Sequence, residues 1–65
     1  MFAVLDLGDG RKFACETLDY AKEAWRESFA DMTEATIDVY PSFGNAGLVS
    51  TYRFDDEIDD WVRSR

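Results

Sequence analysis

The chain has no histidine, one cysteine, one proline, and only seven Lys and Arg residues against fourteen Asp and Glu. Each shortage excludes something. Without histidine there is no Ser-His or Cys-His nucleophile and no His-ligated metal. One thiol, Cys15, forbids an internal disulfide, and secreted domains of this size usually carry several, so a reducing cytosol is expected. Scarce basic residues disfavour direct contact with nucleic acid, which needs clustered Lys and Arg, and with anionic membrane surfaces. No apolar run approaches the roughly 18 residues of a membrane span. The opening Met1-Phe2-Ala3-Val4-Leu5-Asp6 lacks the basic region of a signal peptide.

What is present is apolar surface and negative charge. Of 65 residues, 46% are hydrophobic and 15% aromatic, and the net charge is −7 at pH 7. That is too much apolar surface for a disordered acidic tail. The length fits one domain over residues 1–65, with a small core, since a chain this short buries only about 60% of its unfolded surface.

Residues 2–7 and 12–17 are β-prone and flank Gly8-Asp9-Gly10, whose Asp-Gly pair tolerates positive φ. This predicts a hairpin with Leu5, Leu7, Phe13 and Cys15 facing inward. Thr17 is positioned as an N-cap. Leu18, Ala21, Trp25, Phe29 and Met32 then recur at helical spacing, which predicts an amphipathic helix ending near 31–33. Residues 35–40 alternate and stop at Pro41, 42–47 form a loop, and 48–54 predict a strand with Leu48, Tyr52 and Phe54 on one face. Ile58, Trp61 and Val62 at i, i+3, i+4 predict a short C-terminal helix capped by Asp55. The expected fold is α+β: a ββαββα order with one main helix on an antiparallel sheet.

The charge is uneven. Residues 16–38 hold seven acids against Lys22 and Arg26, net −5, and residues 55–65 hold five acids against Arg63 and Arg65, net −3. Asp19, Glu23, Glu27 and Asp31 recur every four residues, which on a helix forms one row. Neighbouring like charges at this spacing destabilise a helix by a few tenths of a kcal/mol per pair. Lys22 and Arg26 relieve this through i+3 contacts, and Glu16, Glu34 and Asp38 extend the row past the helix ends. The second cluster is Asp55, Asp56, Glu57, Asp59 and Asp60, in the positive field of the expected helix N-terminus. An ordinary solvated face and an acidic first turn explain part of each cluster; their coincidence in one small domain is the informative feature.

Catalytic parts are missing. Cys15 sits mid-strand, as an inert buried thiol does. A domain this small leaves no room for a sugar cleft between paired carboxylates. The spacing Asp55-x-Glu57-x-Asp59 echoes a calcium loop, but the sixth position is Asp60 where a glycine is required. No enzyme activity, cofactor or dedicated metal site is expected.

The acidic row, the miniature ββαββα plan and the lack of catalytic chemistry together resemble small anti-CRISPR proteins encoded by phages and mobile elements, in particular inhibitors of type I-C systems. The resemblance spans the whole chain as a pattern of size, charge and elements rather than as a motif. It implies a stoichiometric inhibitor acting as a DNA mimic in the cytoplasm of a bacterial host, binding the Cascade surveillance complex at its PAM-reading large subunit and blocking target DNA. A monomer is expected over a homodimer, because −7 per chain opposes association at low salt. Charge geometry assigns partner binding to Asp19, Glu23, Glu27, Asp31, Glu34 and Asp38, and to Asp55, Asp56, Glu57, Asp59 and Asp60. The competing expectation is a non-enzymatic interaction module, such as a phage accessory or antitoxin-like protein. It would bind through the sheet edge or the Phe43 loop, with Tyr40 and Phe43 mattering more than the acids.

Overall fold

The computed structural model describes residues 1–41, 47 and 50–64. Of the expected loop over 42–47, residues 42–46, including Phe43, lie outside the described residues, as does the facing of Leu48. The elements are β1 (Phe2–Asp6), β2 (Lys12–Cys15), α1 (Leu18–Ser28), β3 (Thr36–Tyr40), β4 (Ser50–Asp55) and β5 (Asp60–Arg63). The strands form one antiparallel sheet in the order β2-β1-β3-β4-β5, with α1 on one face.

The first hairpin forms as its glycines predict. Gly8 (φ 82°) and Gly10 (φ 102°) take left-handed conformations, and the Leu7 N–H donates to the Arg11 carbonyl at 3.1 Å to close the turn. Leu5, Leu7 and Cys15 are buried. Phe13 lies opposite Leu5 and shares its face, yet stays 41% exposed because β2 is an edge strand. Its ring stacks on Phe29 at 5.4 Å.

Thr17 caps α1, its hydroxyl accepting from the Tyr20 N–H at 3.0 Å. The helix ends at Ser28, three residues short of the predicted limit near 31–33. Phe29 leaves the helical conformation (φ −135°, ψ 25°), although its N–H still bonds the Trp25 carbonyl. The Trp25 indole N–H donates to the Met32 carbonyl at 3.0 Å, drawing the following turns back over the core. That tertiary bond and the Phe29–Phe13 stack compete with helix continuation, for which Asp31 and Thr33 have little propensity.

Trp25, Leu5, Leu7 and Ile37 are the largest fully buried side chains, joined by Ala3, Ala21, Ala35, Val39 and Phe54. Trp25 centres an aromatic trio, with Phe54 at 4.3 Å and Trp61 at 5.2 Å edge-on, while Phe54 and Trp61 meet at 5.6 Å. Of the other aromatics, Tyr52 packs half-buried on this core, Tyr20 is exposed, and Tyr40 stacks on Phe2 at 5.1 Å on the sheet face opposite the helix.

The C-terminal helix of the expected ββαββα order is corrected to a fifth strand, giving ββαβββ. Asp55 pairs with Asp60 across a turn over 56–59. The Asp55 carboxylate does cap, but it accepts the Glu57 N–H (3.0 Å) of a hairpin turn rather than a helix. Asp59 then adopts φ 54°, a left-handed conformation that Asp tolerates and that ends any helical path. Pairing with β4 places Trp61 against Trp25 and Phe54, a burial that a two-turn helix with Ile58 on the same face would have to match. Ile58 instead sits in the turn, 62% exposed.

Candidate functional site

The helix row survives in part. Asp19, Glu23 and Glu27 lie on the solvent side of α1, and none forms an ion pair among the described residues. The expected relief from Lys22 and Arg26 does not occur, because both lean toward the sheet. The Lys22 ammonium lies 5.8 Å from the centre of the Tyr52 ring. Arg26 covers Trp25 and Phe54 (5.4 and 5.8 Å) and pairs with Asp59 at 3.2 Å. Cation–π contacts with rings on the helix flank thus draw the bases away from the acids beside them. The three carboxylates are left as uncompensated charge.

The same Arg26–Asp59 pair joins α1 to the β4–β5 turn. Within the second cluster the five acids have different fates. Asp59 forms an exposed ion pair with Arg26; Asp55 and Asp60 accept backbone N–H groups of Glu57 and Trp61 at 3.0 and 2.7 Å. Asp56 and Glu57 project from the turn, exposed. Asp55 and Asp60 are direct cross-strand neighbours, an arrangement of like charges that costs stability. Their bonds to the Glu57 and Trp61 N–H groups offset part of that cost.

Asp31 and Glu34 lie beyond the helix and do not extend its row. They line a shallow depression of about 360 Å³ with Leu7, Gly8, Asp9, Met32 and Thr33. Asp9 is an acid that sequence reasoning passed over, since the first hairpin is neutral as a whole and nothing in its order pairs it with residue 31 or 34. It is bound to Arg11 at 2.8 Å, and the hydrogen bond from that guanidinium holds its pKa below the usual carboxylate range. Arg11 in turn lies over Phe29, 5.5 Å from the ring centre.

Asp38 is not on this side of the molecule. It pairs in register with Val4 and Thr51, on the sheet face away from α1, and accepts the Thr51 hydroxyl at 2.9 Å. Alternation with buried Ile37 and Val39 requires this. The expected extension of the row to Asp38 is therefore corrected.

Among the described residues, no group of three or more Cys, Asp or Glu side chains is arranged to hold a metal ion. None of the described helices is long and apolar enough to cross a membrane. Cys15 is buried, and burial pushes its thiol pKa up, away from a reactive thiolate. No family model, curated protein or solved structure matches the chain.

Proposed function

We propose that this chain inhibits a nucleic-acid-binding protein by occupying its basic surface in place of DNA, with a type I Cascade complex as target and its PAM-reading large subunit as the docking point. The observation that carries the reading is the segregation of charge on α1. Asp19, Glu23 and Glu27 stand free toward solvent, while Lys22 and Arg26 are held over aromatic rings on the flank. Successive acids rise about 6 Å along the helix, close to the roughly 7 Å spacing of two phosphate steps per strand. Asp56 and Glu57 continue the negative surface past the Arg26–Asp59 junction. Such a field steers encounter with a lysine- and arginine-lined cleft and competes there with phosphate. The choice of Cascade rests on the resemblance in size and charge, since the ββαββα plan gives way to ββαβββ.

The test is target-DNA binding by purified type I-C Cascade in the presence of the protein. Stoichiometric wild-type protein should abolish DNA binding, and E23K/E27K should restore it while retaining the wild-type circular dichroism spectrum. Inhibition that survives reversal of both Glu23/Glu27 and Asp56/Glu57 would refute mimicry. A protein that leaves Cascade fully able to bind DNA would refute the choice of target.

A further inference from the structure

We propose that the β2 edge is self-complementary and joins two copies of this chain into a continuous ten-stranded antiparallel sheet, about a two-fold axis through Ala14. Three observations place the occupant. The first is backbone phase. The bond from the Leu7 N–H to the Arg11 carbonyl fixes the pairs that exchange hydrogen bonds in the first hairpin. Antiparallel pairs alternate, so Phe13 and Cys15 direct their N–H and C=O groups at β1, whereas Lys12 and Ala14 direct theirs to the free edge. In an axis through Ala14, the two Ala14 residues exchange both of these bonds.

The second is charge complementarity. Counting outward from Ala14, Lys12 of each copy falls opposite Glu16 of the other, the first residue past the end of β2. Two oppositely charged cross-strand pairs result, with no like pair opposed. Glu16 is exposed and has no ion-pair partner among the described residues. Lys12 reaches Asp6 only at 3.9 Å with its side chain 66% exposed, a weak claim on the ammonium.

The third is apolar surface. Phe13 falls opposite Cys15 of the second copy on the helix face, and its half-exposed ring is one of the few large apolar groups left open. Tyr20 of α1 is another, 59% exposed. The axis runs perpendicular to the sheet, so both helices stand on the same face of the assembly.

A net charge of −7 per chain opposes association at low salt. At about 0.15 M salt the Debye length is about 8 Å, which screens the distant charges far more than the adjacent Lys12–Glu16 pairs. Dimerisation should accordingly strengthen as salt rises from low to physiological levels. The experiment is sedimentation equilibrium of the full chain up to roughly 1 mM, the limit for detecting a weak complex. The expected result is a shift from 7.5 kDa toward twice that mass.

K12E and E16K should each weaken association roughly tenfold, because the axis applies each change twice, and the K12E/E16K swap should restore it. In a C15S background, A14C should form a disulfide-linked dimer under mild oxidation, since Cα atoms of such a pair sit about 5.5 Å apart. A monomer at every concentration, or a dimer indifferent to both single charge changes, would overturn the proposal. The assay contains no second protein, so its outcome is independent of the proposed function.

Discussion

Truncating Trp61 and Ile58 separately distinguishes the β4–β5 hairpin from the helix that the same residues spell. In a helix, Ile58 and Trp61 would share one buried face and both would cost stability. In the hairpin, Trp61 is half-buried against Trp25 and Phe54, while Ile58 stands 62% exposed in the turn. Half-burial of a Trp removes on the order of 120 Å² from water, worth about 3 kcal/mol, and two edge-on aromatic contacts add about 1 kcal/mol. Residual burial in the unfolded chain reduces the sum, leaving about 3 kcal/mol for W61A. A domain of this size has a total stability of roughly 3–10 kcal/mol, so W61A should be close to unfolding. I58A should change stability by less than about 0.5 kcal/mol, as exposed positions do. Urea denaturation followed by circular dichroism reads this directly. With a slope near 1 kcal/mol per molar, W61A should move the midpoint by about 3 M and I58A by less than about 0.5 M. Comparable losses for the two variants would refute the hairpin and restore the helix.

T17A removes the hydroxyl that accepts the Tyr20 N–H and should cost about 1 kcal/mol in the same assay, with T17S retaining wild-type stability. Asp59 holds φ 54°, so D59G should be neutral to slightly stabilising in thermal melts even though it breaks the exposed Arg26 pair, whereas D59V should cost about 1–2 kcal/mol. NMR titration should show Asp9 ionising below the ordinary carboxylate range, and R11Q should raise it back into that range. Because its folded pKa is depressed, the stabilising contribution of Asp9 is complete above the unfolded value and fades as pH falls through the folded one. R11Q should abolish that acid-side component.

Much of the fold is written locally. Gly8-Asp9-Gly10 specifies a turn through its positive φ angles, Thr17 marks the helix start, and alternation identifies Ile37 and Val39 as core. These features depend on a few adjacent residues and survive any tertiary context. The C-terminal segment was misleading because an Asp that caps a helix and an Asp that caps a hairpin turn bond the same nearby N–H groups. Only the edge of β4 and the open side of Trp25 decide between them, and both are distant in sequence. The early end of α1 is likewise set by the Trp25–Met32 bond and by Phe13. Within the acidic surface, four-residue spacing placed Asp19, Glu23 and Glu27 correctly on one exposed helix face. The withdrawal of Lys22 and Arg26 depends on which rings the sheet brings beside them, and no spacing rule carries that. Asp38 was legible all along from its alternation with Ile37 and Val39. Its acidity drew it into a row that strand geometry excludes.

The central claim is that the uncompensated carboxylates of α1 take the place of DNA on a basic protein surface. Its most direct test is the salt dependence of the complex with type I-C Cascade, measured for wild type and for E23K/E27K. The account predicts affinity for wild type that falls steeply as salt rises, mutual exclusion with target DNA, and loss of binding in the variant. Affinity that is flat with salt and unchanged in E23K/E27K would contradict it.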